Sequence, residues 1–416
     1  MPFLKRRSVL CVKIASKPVW LILVIVILSG CQGSKVYKLM QDGSVEQKEF
    51  LVTVPFEMRG GLCFMEVEVN GEKGLFLFDT GAPNIVSETF AERLILETET
   101  QGGVKDSGGN RTKGNAFVRL EDINIGGVHF MNTGAVVQNL SSSDIFDCMG
   151  IDGIIGANLM RKAFWKIDYK EETIGFSSNL DDFAVDSTYQ VLPFLVNMTG
   201  TPVVDISFGG ETVNGMVFDT GSNKEFSMPL KSLRAAQKST PITTTWELGA
   251  TSYGVGGKAL ADTIFYAVID TMTLGELSIL NSVVSFDVHS DNFGNAFLEH
   301  YDVVLNWETR QIYMKPITTY DYSALETHGY GVNLVNGNIE IGSLYNGSPA
   351  DGNLEIGDRI LQIDEYNFEQ NPSLICEMVN AREVDFKKRD SIEMTIKRGE
   401  ETLTLTLAKM TLLGDR

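Results

Sequence analysis

Asp79 and Asp219 are the residues whose setting in this chain points most directly to chemistry. Each stands in a Phe-Asp-Thr-Gly tetrapeptide, at residues 78–81 and 218–221, and each follows an apolar run, Leu75 to Phe78 in one case and Met216 to Phe218 in the other. Carboxylates are rarely placed beside such runs unless they are paired. Two carboxylates brought together cannot both ionise cheaply, so they share one proton and titrate as a pair. The ionised partner can then act as general base on a water held between them, while the protonated partner donates to a carbonyl oxygen as it becomes tetrahedral. Gly81 and Gly221 allow the two backbones to approach closely, and the hydroxyls of Thr80 and Thr220 can reach across to fix the turns.

The elements that would position these acids are also written twice. Residues 64–70 alternate, with Met65, Val67 and Val69 apolar, before a turn at Gly71-Glu72-Lys73 and the run into Asp79. In the second copy Val204, Ile206 and Phe208 alternate with Asp205 and Ser207, Gly209-Gly210 turns the chain, and Met216 to Phe218 leads into Asp219. Both read as a β-hairpin that delivers an aspartate at the end of its second strand. Downstream, residues 123–130 and 272–279 predict a second hairpin in each copy, and residues 153–176 align without gaps on residues 291–314. Matched features in matched order mark an internal duplication. A single Asp-Thr-Gly is adequately explained as a strand end and a turn; two at equivalent places in a repeat are not.

Phe-Asp-Thr-Gly followed by Ile154-Ile155-Gly156 resembles the aspartic peptidase signature, and the wording around it is similar to bacterial retropepsin-like proteins. The resemblance covers residues 45–316. It implies a β-barrel-like lobe per copy, fused about a pseudo-two-fold axis as in pepsin, with Asp79 and Asp219 as the catalytic pair. Thr80, Gly81, Thr220 and Gly221 would then support the catalytic loops, and Ile154, Ile155, Gly156 and Gly294 would form the segments crossing beneath them. The second copy departs from the pattern with Asn292-Phe293 where two aliphatics are expected. It also has Lys224 and Glu225 after its acidic turn, side chains expected to face solvent. The glycine-rich stretches 102–110 and 249–257, the latter with Tyr253, occupy the intervals where the family folds a hairpin over its peptide.

Beyond a linker at 317–326, the run from His328 to Phe368 resembles a PDZ domain of the bacterial periplasmic kind, on Gly329-Tyr330-Gly331-Val332, Gly347-Ser348-Pro349-Ala350 and Leu354 to Leu361. The resemblance implies a groove in which backbone N–H groups of Gly329, Tyr330, Gly331 and Val332 hold the carboxylate of a peptide added as a strand. Segment 371–384 would supply the groove helix, and residues 392–398 and 401–407 the closing strands.

At the other end, Lys5, Arg6, Arg7, Lys13 and Lys17 precede the apolar run 19–28, which is shorter than the roughly 20 residues a spanning helix needs. Leu28-Ser29-Gly30-Cys31 resembles the bacterial lipobox, implying lipidation at Cys31 and removal of residues 1–30. The 416-residue chain carries a formal charge of −19, which argues against nucleic acid as a partner. Cys63, Cys148 and Cys376 are too far apart in sequence for a disulfide framework or a zinc site; they read as small buried thiols, with a Cys63–Cys148 bridge left open in an oxidising compartment. Neither a metal nor a cofactor is implied.

The expectation is a mostly β protein: a signal peptide at 1–30, a tether at 31–44, duplicated aspartic-peptidase-like lobes at 45–185 and 186–316, and a PDZ (α+β) domain at 327–412. Its partners would be a peptide or protein substrate, a protein C-terminus in the PDZ groove, and a lipid anchor in the membrane. It would face the periplasm from the bacterial cell envelope, with the outer membrane preferred. The rival is a non-catalytic peptide-binding lipoprotein built on the same scaffold. A serine hydrolase is disfavoured by the absence of a Gly-x-Ser-x-Gly elbow.

Overall fold

The computed structural model describes residues 33–105, 111–249, 253–254, 257–258, 261–381 and 384–414; Cys31 and the segment before it lie outside them. The chain is mostly β-strand. Strand β1 (Leu62–Val69) buries Met65, Val67 and Val69 while Glu66 faces out, the period-2 pattern of a sheet with one wet face. It turns at Asn70-Gly71, where both residues have positive φ, the geometry a two-residue hairpin requires. The turn therefore falls earlier than expected, and Glu72 and Lys73 already belong to β2 (Glu72–Asp79). Phe76 to Asp79 are all buried, as in a strand covered on both faces.

A closed ring of strands follows. Beyond Asp79 come β3 (Ile85–Ser87), the long hairpin β4 (Arg111–Ile125) and β5 (Val128–Gln138), helix α1 (Asp144–Met149) and β6 (Gly153–Gly156). β6 lies parallel to β2 and antiparallel to β3, β3 lies parallel to β5, and β4 returns antiparallel to both β5 and β1. The second region has β7 (Pro202–Phe208), β8 (Glu211–Phe218), β9 (Phe226–Pro229), the hairpin β10 (Asp262–Leu274) and β11 (Leu277–Asp287), and β12 (Asn292–Phe293). These six close in the same order with the same senses: β8 parallel to β12, β12 antiparallel to β9, β9 parallel to β11, and β10 antiparallel to both β11 and β7.

A six-stranded antiparallel sheet joins the two rings. Phe164–Asp168, which follows β6, pairs with Tyr301–Asn306, which follows β12, through Trp165↔Leu305, Lys166↔Val304 and Ile167↔Val303. Trp165 is fully buried, stacks on Phe176 at 4.8 Å and lies 5.5 Å from Phe78. The residue before Asp79 is thus braced by the joining sheet. In the second ring Phe218 packs on Phe293, and Phe293 on Phe226, at 5.5 and 5.6 Å. Each fully buried aromatic contributes about 1.5–3 kcal/mol, so the base under both acidic turns is firm.

The C-terminal region has its own core, including Ile341, Ile360, Met394 and Ile396. It contains the antiparallel pair β13 (Tyr330–Val335) and β14 (Asn338–Tyr345), helix α2 (Ser373–Asn380), and strands Ser391–Arg398 and Glu401–Ala408. Its sheet continues into the second ring, because Thr244–Gly249 pairs with β10 on one side and β14 on the other. Within segment 317–326, Tyr320 packs against Phe226 and Phe297. At the opposite end, residues 33–41 are helical and bury Leu39 and Met40. Among the described residues no helix is long and apolar enough to cross a membrane.

One cysteine expectation is corrected. The bridge joins Cys148 to Cys376, 228 residues apart in sequence, and Cys63 keeps a buried thiol beside Met58 Sδ. The physical reason is the packing of α1 against α2, which brings the two Cα atoms to 4.9 Å, within the span a disulfide requires.

Candidate active site

The two acidic turns meet. Asp79 ends β2 and Asp219 follows β8, and each residue is only 9% exposed. Thr80 N donates to Thr220 Oγ1 and Thr220 N donates to Thr80 Oγ1, both at 3.0 Å. Each hydroxyl also donates to the carbonyl before the opposite aspartate, Thr80 Oγ1 to Phe218 O at 2.6 Å and Thr220 Oγ1 to Phe78 O at 2.9 Å. Four reciprocal bonds therefore interlock the loops in a buried place where unmade bonds would be costly. Gly81 lies against the Asp219 carboxylate and Gly221 against that of Asp79, so close that a Cβ on either would collide with it. Glycine is required at both by approach rather than by dihedral angle.

Gly81 N and Ala82 N donate to Asp79 Oδ1 at 2.7 and 3.1 Å. Gly221 N donates to Asp219 Oδ1 at 3.0 Å, and Asn292 Nδ2 donates to Asp219 Oδ2 at 2.7 Å. Each carboxyl lies against the glycine of the opposite turn, which makes the two acids neighbours. Burial pushes Asp79 well above the usual aspartate range, and the neighbouring Asp219 charge pushes it further. Asp219 is also raised by burial, but the hydrogen bonds from Asn292 and Gly221 oppose the rise. The geometry brings together two desolvated carboxyls that can hold a single proton between them.

The crossing segments sit beneath these turns in identical register. Ile154 pairs with Leu77, Ile155 with Phe78 and Gly156 with Asp79; Asn292 pairs with Val217 and Phe293 with Phe218. Gly156 abuts the Ala82-Pro83 backbone and Gly294 abuts Ser222, with no room for a side chain. Gly156 N is held by Asn84 Oδ1 at 2.9 Å. On the other side Asn295 Nδ2 donates to Thr220 O at 2.8 Å and to Gly61 O at 2.9 Å, while Tyr169 Oη donates to Asn295 Oδ1 at 2.8 Å. The sequence offered no pattern that singles out Asn84, Asn295 or Tyr169. Asn292 stood out only as a departure from an aliphatic pair.

Lys224 and Glu225 do not simply face solvent. Both are half-buried, because the second turn runs two residues longer than the first before rejoining its crossing strand. Burial pushes the Glu225 carboxyl up, and its charge is felt by Tyr320 and Tyr322. Of the two glycine-rich stretches, residues 102–105 lie in strand Thr98–Lys105, paired with β4, and the tip at 106–110 lies outside the described residues. Residues 250–252 and 255–256 are also outside them, although the backbone of Tyr253–Gly254 pairs with Gly257–Lys258.

The Gly329 to Val332 stretch enters β13. Gly329 N donates to Thr327 Oγ1 at 2.9 Å and so is already engaged. Ile145 and Cys148 of α1 pack against the same cluster as Tyr330, Val332, Met378 and Val379, and Asp144 accepts from Gly337 N at 3.0 Å. The space between β13 and α2 is therefore met by the chain's own helix α1.

Residues 65–159, which contain Asp79, Ile154 and Gly156, match the family model described as aspartyl protease. This stretch is a retropepsin-like aspartic-protease domain. No curated protein matches the chain. The match to the aspartic-protease family includes β2, the first acidic turn and its crossing strand; Asp219 lies outside the matched residues.

Proposed function

We propose that the chain is an aspartic endopeptidase in which two duplicated lobes, related by a pseudo-two-fold axis, each contribute one carboxyl, Asp79 and Asp219, to a shared catalytic pair. The observation that carries this reading is the reciprocal Thr80–Thr220 interlock, with both carboxyls buried and each lying against the glycine of the opposite turn. The identical strand order of the two rings and the family match over residues 65–159 support it.

In this reading a water between the carboxyls loses a proton to the ionised partner as its oxygen bonds to the peptide carbonyl carbon. The protonated partner delivers its proton to the carbonyl oxygen, giving a neutral diol. Proton transfer to the amide nitrogen then lets the C–N bond break, releasing an amine and a carboxylic acid. Burial on firm strands favours this chemistry, because the groups need little rearrangement. Thr80, Gly81, Thr220 and Gly221 hold the turns, and Ile154, Ile155, Gly156 and Gly294 support them from below.

Residues 327–412 act in this proposal as a PDZ module. The seating of α1 against β13 and α2, pinned by Cys148–Cys376, favours regulation over open recruitment of a protein C-terminus at Gly329 to Val332. The lipobox-like Leu28 to Cys31 supports a lipid tether facing the periplasm.

Cleavage of a broad peptide library by the wild type, Asp79→Asn and Asp219→Asn tests the reading. We expect wild-type turnover and a loss of about 10²–10⁴-fold in either variant, the contribution of a positioned acid or base. Equal cleavage by all three would remove the assignment of catalysis to Asp79 and Asp219, and no wild-type turnover at any pH would favour the non-catalytic scaffold.

A further inference from the structure

The acidic pair has unequal hydrogen-bond partners. At Asp79 both backbone donors, Gly81 N and Ala82 N, converge on Oδ1, which leaves Oδ2 for a proton. At Asp219 the donors are divided, with Gly221 N on Oδ1 and Asn292 Nδ2 on Oδ2. Both oxygens of Asp219 are thus engaged as acceptors, the arrangement that favours a carboxylate. The extra donor comes from the crossing segment, at the position whose counterpart in the first ring is Ile154. That isoleucine is 2% exposed and packs among apolar neighbours such as Leu62, Phe64 and Leu77.

We propose that Asn292 is a positioning residue that fixes Asp219 as the ionised member of the pair and leaves the shared proton on Asp79. This deepens the peptidase reading and rests on it for its catalytic meaning. Asp219 becomes the base that takes the proton of the attacking water, and Asp79 the acid that protonates the carbonyl oxygen. Asn292 acts only through Asp219 and is not itself a proton donor in the reaction.

The surrounding charges are few. Asp219 faces Asp79 and feels the charge of Asp291, the neighbour of Asn292, which opposes ionisation. On the longer second turn, Lys224 acts on Glu225, which also feels Glu299. Beneath the turn lies the neutral Tyr169–Asn295–Thr220 chain.

The test is a titration that needs no substrate. Aspartate labelled with ¹³C at the carboxyl is followed by NMR across pH in the full chain carrying Asp79→Asn, and in the chain carrying Asp219→Asn. The remaining carboxyl is expected to titrate about one to two pH units lower when it is Asp219 than when it is Asp79, the size of a hydrogen bond to a charged group. Adding Asn292→Leu should remove most of that gap, and in the otherwise wild-type chain it should move the acid limb of kcat/KM upward. An equal or reversed order in the two single-aspartate chains would overturn the proposal, as would a gap unchanged by Asn292→Leu. Should Asn292→Leu not fold, the single-aspartate chains decide alone. Absence of peptide cleavage by the wild type sinks the peptidase reading but leaves the titration order intact, so the two failures are distinguishable.

Discussion

Beneath the first acidic turn the chain runs Gly153, Ile154, Ile155, Gly156, and beneath the second it runs Asp291, Asn292, Phe293, Gly294. Both segments lie parallel to the strand that delivers the aspartate, in the same register, and both end in a glycine pressed against the turn above. The backbones are equivalent, and so is the exchange of bonds between Thr80 and Thr220. The equivalence ends at side chains: Ile154 joins an apolar cluster, whereas Asn292 donates to Asp219. The second turn is also longer and leans on its surroundings. Asn223 Nδ2 donates to Gly60 O at 2.9 Å, and Gly60 N donates to Asn380 O, at the end of α2, at 3.1 Å. A symmetric frame thus holds an asymmetric pair, and the asymmetry comes from side chains in which the two rings differ.

The largest effect that would sharpen this comparison comes from the disulfide. Cys148→Ser removes a cross-link that closes a loop of 228 residues and should cost about 2–4 kcal/mol by denaturant unfolding. Because α2 supports Gly60 and Gly60 supports Asn223, amide exchange should quicken around Asn223 more than around Gly81. Equal quickening at both turns would break the proposed route.

The interlock should behave in the opposite way. Thr80→Val and Thr220→Val each leave a buried N–H and a buried carbonyl without their partners, for a loss of about 1–3 kcal/mol. Since the bonds are reciprocal, the two variants should lose the same amount in thermal unfolding. A clear inequality would show that the two turns are not equivalent even in their frame.

The smallest effect is a pH dependence of stability. Folding raises the Asp79 pKa, so the fold favours the protonated form. The associated loss of stability grows as pH climbs from the ordinary aspartate range through the raised value, then levels off. Asp79→Asn lacks that loss, so its Tm advantage over wild type should widen across that window. Asp219→Asn should widen less, because Asn292 opposes the rise at Asp219. Melting curves over acid to neutral pH would separate the two, and parallel behaviour would contradict the asymmetry.

Much of this was legible beforehand, for reasons that are local. The alternation in β1 and β7, the apolar runs into both aspartates and the glycines of the hairpin turns each depend on neighbours a few residues away. They predict strands where strands occur, and the threonines they set beside the two aspartates do reach across to each other. Glu72 and Lys73 look like turn residues, yet they form the exposed start of β2, and the turn falls at Asn70-Gly71. The expectation that Glu225 faces solvent fails because the rule for charges after a turn takes no account of the tyrosines at 320 and 322.

By itself, then, the sequence determined the β-rich character and the two Phe-Asp-Thr-Gly turns at the ends of strands, since strand periodicity and turn chemistry are written within short windows. Only the tertiary structure decided which cysteines join, what meets the face between β13 and α2, and that Asn292 reaches Asp219. These contacts span 228 residues between Cys148 and Cys376 and 73 between Asp219 and Asn292. No periodicity encodes them, because they exist only once separate strands and helices have packed and set side chains within hydrogen-bonding or bonding distance of one another.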